Sequence, residues 1–411
     1  MVNQKILKNT LFLSGSQIFG RAIGFLYFIF LARSLSVENL GIYAWVLGFG
    51  YNFYPLADFG IERIVLKHLP RNLENVNPYL SKLLPLKLAL AVMSGLLSII
   101  LGLVIGVGAD KIIYLAIFSL ALLPYNLIQL YSSVENAKEN SKTYASATIL
   151  GPIIFSILGI AIVKTGINIG WLFTVHFAAN LLILIHIISG SKSLNLSKGW
   201  RIDFPFWKKI LSESWVFALI IALAVFYIRI PLTVTGLVLS DYWAGIYGSA
   251  SRFIEAGILI PQSLSLALFP LSSRLLLNDR VKLKSIYRKS IAILFAVSIP
   301  IGLVMFFGGK FIIPIIYGQA YANAIPVFSL MGVLMILLFV NSLPGNIIHN
   351  SDRVKKFLPF SFMNFIVALA GCLILIPKLG VIGGVVSMII GEIFGFVVNN
   401  IFAFRILNEK A

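Results

Sequence analysis

The sequence predicts an all-α, polytopic membrane protein, with about 12 transmembrane helices in two pseudo-symmetric six-helix lobes around a central cavity. Three observations lead to this prediction. The mean hydropathy is +0.95, only 12% of the 411 residues are charged, and long apolar stretches follow one another along the whole chain. A soluble domain has about 25% charged residues. This composition is therefore more apolar than a soluble protein of this size requires for its core.

The apolar stretches are delimited by the length that a bilayer requires, which is about 20 residues for a helix. On this criterion the predicted spans are 10–33, 40–67, 80–108, 111–134, 144–164, 166–188, 210–237, 243–273, 286–308, 323–348, 357–377 and 380–404. The weaker apolar stretch from Lys310 to Tyr321 is predicted to lie at the outer interface. The longest connection divides the chain into an N-terminal lobe (1–195), a cytoplasmic linker (196–209) and a C-terminal lobe (210–411).

The charge distribution predicts the orientation and argues against nucleic-acid binding. Of the 33 Lys and Arg, 23 fall in inner segments and 5 in outer segments when both termini are placed in the cytoplasm. Cytoplasmic loops of membrane proteins carry such an excess, and the inner leaflet is anionic. The net charge of +18 therefore indicates contact with membrane lipids. We expect a multi-pass protein of the cell (inner or plasma) membrane.

The two halves show signs of a duplication. Gly41-Ile-Tyr43 recurs as Gly245-Ile-Tyr247 at an offset of 204 residues, and two further short matches occur at nearly the same offset. Because each half has six spans, an even number, both halves enter the membrane from the same side and the repeat is parallel. Transporters with such repeats bind their substrates between the halves. Pro55 and Pro261 are predicted to interrupt spans two and eight, because proline removes a helical hydrogen bond.

Five cations fall inside predicted spans, where a charge costs about 2.5–3.5 kcal/mol on the insertion scale and usually faces a polar interior. Arg21, Arg229 and Arg252 are predicted to converge in a cationic cavity that suits a phosphate or pyrophosphate, with Arg63 and Lys87 extending it. Four of these cations also have an alternative role. Arg252 could pair with Glu255 along its helix, Arg21 with Asp58 or Glu62, while Arg229 and Lys87 could snorkel to an interface.

Three acids, Asp58, Glu62 and Glu255, are predicted to bind a coupling ion, H⁺ or Na⁺, or to act as counter-ions. Asp58 and Glu62 lie four residues apart and would share one face of the second span. Glu392 is a lone acid in the last span, where either packing or a functional role could explain it. The sequence contains no Walker motif and no cluster with metal-ligand spacing, so no cofactor and no metal are expected.

Four stretches resemble the polysaccharide (O-antigen type) lipid-linked oligosaccharide flippases of the multidrug/oligosaccharidyl-lipid/polysaccharide exporter superfamily. They begin at Gly20-Arg-Ala-Ile-Gly24, Leu56-Ala-Asp-Phe-Gly60, Ala244-Gly-Ile-Tyr247 and Ile315-Ile-Tyr-Gly318. The chain departs from the family at Tyr227-Ile-Arg-Ile230, where members often have an acid beside the arginine.

The resemblance implies a transporter that moves a polyprenyl-pyrophosphate-linked oligosaccharide from the inner to the outer leaflet by alternating access. An ion gradient would drive it, and polysaccharide assembly enzymes would be partners. The first alternative is a proton- or sodium-coupled multidrug or organic-cation antiporter of the same superfamily, which would need a cavity dominated by acids. A membrane enzyme is disfavoured because every outer loop is short, whereas membrane enzymes that act on lipid-linked sugars usually present a sizeable outer loop.

Overall fold

The computed structural model describes residues 2–69, 76–138, 141–190, 199–349, 351 and 354–408, and every regular element in this part of the chain is a helix. The helices are α1 (Val2–Ser34), α2 (Val37–Tyr51), α3 (Tyr54–Asp58), α4 (Ile61–His68), α5 (Val76–Val104), α6 (Ala109–Ala137), α7 (Ser141–Lys164), α8 (Gly170–Gly190), α9 (Phe204–Val238), α10 (Asp241–Gly257), α11 (Leu259–Asn278), α12 (Arg280–Tyr317), α13 (Ile325–Asn341), α14 (Pro344–His349), α15 (Val354–Leu379) and α16 (Val381–Asn408). Within the described residues, eleven helical segments are long and apolar enough to cross a membrane. The all-helical, polytopic membrane architecture is therefore confirmed.

The predicted span 40–67 is built from three short helices. The first break follows α2, which ends at Tyr51. Pro55 then lies in the first turn of α3, where a backbone N–H would have no helical partner. The interruption predicted near Pro55 is thus present, three residues before the proline.

The second break in this span separates Asp58 from Glu62. α3 ends at Asp58 because Phe59 and Gly60 both adopt left-handed conformations, with φ values of 52° and 71°. A Cβ atom on Gly60 would lie 2.7 Å from the carbonyl oxygen of Ser214, so both the conformation and the space favour glycine. The prediction that the two acids share one face of a continuous helix is wrong.

Two differences from the predicted spans occur in the second half. The helix of span eight breaks at Ile258, three residues before Pro261, which cannot donate a backbone hydrogen bond to Gly257. The stretch from Lys310 does not form a separate interfacial piece, because α12 continues through it to Tyr317. A 3₁₀ helix follows at Gln319–Ala324.

The chain packs into two units. The first unit comprises Met1–Leu35 and Val46–Val225, and the second comprises Ser36–Trp45 and Phe226–Ala411. α2 and α9 are therefore each divided between the units. The predicted lobes, 1–195 and 210–411, are divided at the longest connection between spans and stay a prediction.

In the second unit, the repeated glycines lie where two helices cross. A Cβ atom on Gly41 of α2 would clash with the carbonyl oxygen of Asp241, and one on Gly245 of α10 would clash with that of Val37. The indole of Trp45 fixes the same part of α2, since its Nε1 donates to the Thr233 carbonyl oxygen at 2.9 Å. Because Val37 and Gly41 precede Asp241 and Gly245 by the same 204 residues, the crossing is reciprocal.

In the first unit, the described part of the predicted linker packs on α5. Its first residues, 196–198, lie outside the described part of the chain. Lys82 Nζ lies 2.7 Å from Asp203 Oδ2, and Trp207 Nε1 donates to the Lys82 carbonyl oxygen at 2.7 Å. The hydrogen bond from Lys82 lowers the pKa of the Asp203 carboxyl. The start of α9 is thereby attached to the N-terminal end of α5.

Candidate functional site

The break in span two places Asp58 against a lysine of α5. Lys87 Nζ lies 2.6 Å from Asp58 Oδ1, and the exposed fractions of the two side chains are 0% and 4%. Neither charge would be tolerated alone at such a buried position, whereas the pair is neutral. The snorkelling predicted for Lys87 is therefore wrong, and its ammonium group offers no exposed surface to a substrate.

Asn126 of α6 holds the backbone on both sides of this ion pair. Its Nδ2 donates to the carbonyl oxygens of Ala57, at 3.0 Å, and of Lys87, at 2.9 Å, and the residue is fully buried. The two bonds link α3 to α5 directly beside Asp58 and Lys87. The pair is thus held by its backbone as well as by its charges, which favours a fixed arrangement.

Glu62 lies among tyrosines in the same unit. Tyr54 donates its hydroxyl proton to Glu62 Oε1 at 2.5 Å, and the Tyr54 ring packs edge-on against Tyr125, with centroids 4.9 Å apart. Arg21 lies on α1, which packs against α7, the helix that carries Tyr144. The first unit therefore combines a carboxylate, an arginine and several phenols in one region, a combination suited to sugars and phosphates.

The five predicted cations divide between the two units. In the first unit Arg21 and Arg63 are exposed and Lys87 is buried, and in the second unit Arg229 and Arg252 are partly buried. The convergence of Arg21, Arg229 and Arg252 in one cavity stays a prediction.

Arg252 and Glu255 form an ion pair along α10. Arg252 Nη1 lies 2.6 Å from Glu255 Oε2, and the side chains are 29% and 44% exposed. The intrahelical pairing considered for Arg252 is confirmed. Since both members remain partly exposed, the pair leaves guanidinium surface that a ligand could contact.

Glu392 of α16 is the centre of a polar cluster in the second unit that the predicted site did not include. Its Oε1 accepts a hydrogen bond from the Tyr227 hydroxyl at 2.8 Å, and its Oε2 accepts one from Asn341 Nδ2 at 2.5 Å. The Oδ1 atoms of Asn341 and Asn364 are buried and have no hydrogen-bond partner among the residues that the structure describes. A buried carboxylate and two unsatisfied amide oxygens are hard oxygen donors, which suit a small cation or a proton.

One glycine makes space for this cluster. A Cβ atom on Gly391 would lie 2.8 Å from the Tyr227 hydroxyl oxygen, closer than a side chain tolerates, whereas one on Gly395 would be in ordinary contact with Asn364. The local sequence signal that could have drawn attention to Glu392 is therefore the glycine directly before it, Gly391, in an otherwise apolar span.

The chain resembles solved transporter structures over almost its whole length. The inward closed lipid II flippase MurJ has a TM-score of 0.78 and 15% identity, with coverage of 96% of this chain and 87% of that chain. An inward-facing multidrug resistance MATE family transporter of the MOP superfamily has a TM-score of 0.71, 14% identity and coverage of 96% of both chains. The MATE multidrug transporter DinF-BH has a TM-score of 0.69 and 15% identity, with coverage of 98% of this chain and 97% of that chain. No curated protein matches the sequence.

These likenesses show the fold, which the chain shares with the lipid II flippase MurJ and with MATE family transporters. A family model described as "Polysaccharide biosynthesis protein" matches residues 6–276, which is more than half of the chain. The predicted resemblance is therefore confirmed, and the chain belongs to this polysaccharide biosynthesis protein family.

Proposed function

We propose that the protein flips a polyprenyl-pyrophosphate-linked oligosaccharide from the cytoplasmic to the outer leaflet by alternating access, without making or breaking a covalent bond. The observation that carries this proposal is the buried ion pair of Asp58 and Lys87. An antiporter for organic cations would need accessible acids. Here one predicted acid is neutralised by Lys87, whereas Arg21 and Arg63 of the same unit remain exposed.

The groups around Glu62 fit such a cargo. Arginine guanidinium groups bind phosphate oxygens bidentately, and tyrosine rings stack on the apolar faces of sugars while their hydroxyls hydrogen-bond. Arg21, Arg229 and Arg252 would bind the pyrophosphate, while the polyprenyl chain stays in the bilayer. The protein would be located in the cell membrane with both termini in the cytoplasm, and polysaccharide assembly enzymes would supply and use the cargo.

The test uses purified protein in liposomes with two cargoes in parallel. One is a polyprenyl-pyrophosphate oligosaccharide detected by a membrane-impermeant lectin, and the other is a fluorescent organic cation. We expect the sugar lipid to cross, and Arg21→Ala and Arg229→Ala to reduce the rate at least about tenfold, the typical effect of losing a charge-assisted contact. Lys164→Ala, which removes an exposed charge at the end of α7, is the matched control. Efflux of the organic cation without crossing of the sugar lipid would establish the antiporter instead.

We further propose that Glu392 is the residue that couples transport to an ion gradient. Among the predicted coupling acids, Asp58 is engaged by Lys87 and Glu255 by Arg252. Glu62 accepts a hydrogen bond from Tyr54. Glu392 lies beside two buried amide oxygens, those of Asn341 and Asn364, for which the described residues supply no hydrogen-bond partner. Glu392 therefore fits reversible ion binding best.

The coupling role is tested with imposed H⁺ and Na⁺ gradients. Glu392→Gln is expected to abolish stimulation of flipping by the gradient and to leave substrate binding intact, because the amide keeps the shape and loses the charge. Glu62→Gln is the comparison. Stimulation that survives in Glu392→Gln and is lost in Glu62→Gln would assign coupling to the first unit.

A further inference from the structure

We propose that a groove at the C-terminal end of α16 binds the phosphate headgroup of an anionic lipid. The groove is a shallow depression, widely open to its surroundings, with a volume of about 570 Å³; it is lined by five residues on one face of this helix, Asn400, Ile401, Phe404, Arg405 and Asn408. None of its described lining residues is acidic. The proposal does not depend on which cargo the protein transports.

The polar groups of the groove favour an anion, because their acceptors are already used. Asn400 Oδ1 accepts a hydrogen bond from the Tyr287 hydroxyl at 2.8 Å, and Asn408 Oδ1 accepts one from Lys284 Nζ at 2.7 Å. Arg405 is exposed and has no hydrogen bond or ion pair with any residue that the structure describes. What remains available is therefore the Arg405 guanidinium, the Asn408 amide N–H groups and the charge of Lys284. These are donors and positive charges, which match phosphate oxygens.

An exposed apolar ridge continues from the groove along α16. It consists of Ile390, Ile393, Val397 and Ile401, whose side chains are between 44% and 51% exposed. With a rise of about 1.5 Å per residue, the ridge is about 16 Å long. This is close to half of the roughly 30 Å hydrocarbon core of a bilayer, and so to the depth of one leaflet. A headgroup on Arg405 would thus have its hydrocarbon chain alongside the ridge.

The position in the membrane agrees with this ligand. α16 is one of the candidate membrane spans, and Arg405 lies in its last turn. That end is the one predicted to face the cytoplasm, where anionic phospholipids are concentrated and basic pockets between helices recognise their headgroups. A phospholipid and the phosphate of a polyprenyl carrier share this chemistry, and the experiment separates them.

The experiment is native mass spectrometry of the purified full-length protein, titrated with phosphatidylglycerol, polyprenyl phosphate and phosphatidylcholine. We expect both anionic lipids to bind at least about tenfold more tightly than phosphatidylcholine, and Arg405→Gln to remove this preference, because a bidentate guanidinium–phosphate contact is lost. Asn408→Asp, which adds a negative charge to the exposed rim, should have the same effect. Lys282→Gln, on the opposite side of α12 from Lys284, is the charge-matched control.

The outcomes are distinct. A preference for polyprenyl phosphate over phosphatidylglycerol, lost in both groove variants, supports the site and assigns it to the carrier. Equal binding of the two, again lost in both variants, supports a site for general anionic lipid. Equal binding of phosphatidylcholine, or no loss in either groove variant when both melt like the wild type, overturns the proposal. Since only binding is measured, failure here is separate from failure of the proposed flipping.

Discussion

At the scale of single residues, Lys87 shows how burial decides the role of a charge in a membrane span. The sequence places Lys87 in an apolar segment, which predicts either snorkelling or an extension of the cationic path. The structure shows that Lys87 forms an ion pair with Asp58. Asp58 is the last residue of α3, directly before the break that separates α3 from α4. The charge is therefore part of what connects α3 to α5.

This arrangement predicts that Lys87→Met destabilises the protein strongly. Removing one member of a buried pair leaves the other charge without compensation, which typically costs about 3–5 kcal/mol of the free energy of unfolding. Adding Asp58→Asn to Lys87→Met should recover a large part of the loss, because no buried charge then remains. Thermal unfolding in detergent, followed by size-exclusion chromatography, measures both changes.

Lys82→Met is the control on the same helix. Lys82 forms an ion pair with Asp203, and about one-third of the lysine side chain is exposed. Exposed ion pairs of this kind contribute about 0–1 kcal/mol to the free energy of unfolding. A drop in melting temperature as large for Lys82→Met as for Lys87→Met would mean that burial of the ion pair is not the reason for the effect.

At the scale of elements, the crossing of α2 and α10 depends on glycine. The two helices approach so closely that a Cβ atom on either repeated glycine would meet a carbonyl oxygen of the other helix. Small residues at such positions let helix backbones approach each other in membranes, where packing replaces the hydrophobic effect as the cause of association.

Gly41→Ala is therefore expected to destabilise the second unit by about 1–3 kcal/mol, the usual effect of overpacking. Gly245→Ala should act in the same way, since the contact is reciprocal. Gly24→Ala is the matched control, because no atom lies within 4 Å of the position of its Cβ. Melting temperatures of the three variants in detergent are the measurement. A Gly41→Ala protein as stable as Gly24→Ala would show that the helices separate at no cost.

At the scale of the whole molecule, the sequence predicts what depends on local composition. Apolar length identifies the spans, and Pro55 and Pro261 indicate two of the interruptions. The prediction of a separate interfacial piece from Lys310 is wrong because it also depended on local composition. An isolated lysine resembles the end of a span, but α12 continues for seven residues beyond it.

The partners of the buried polar groups are beyond such prediction, because they depend on distant residues. Glu392 bonds to Asn341 and Tyr227, which are 51 and 165 positions away along the chain. An asparagine or a tyrosine in an apolar span has no local pattern that reveals its partner. The Lys87–Asp58 pair, 29 positions apart, is not predicted either, because each residue also fits another role on its own helix.

The topology of the molecule can be tested through cysteine accessibility. Cys372 is fully buried, so the native protein should react slowly with a membrane-impermeant maleimide, and cysteines introduced at exposed positions can be followed against this low background.

From the asymmetry of positive charge we expect Lys164→Cys and Lys378→Cys to be labelled in intact cells. Lys209→Cys and Lys289→Cys should be labelled only after permeabilisation. All four lysines are exposed, so labelling reports the side of the membrane on which each residue lies. The reverse pattern would place the termini outside, and labelling of Lys164→Cys and Lys209→Cys from the same side would contradict an odd number of crossings between them.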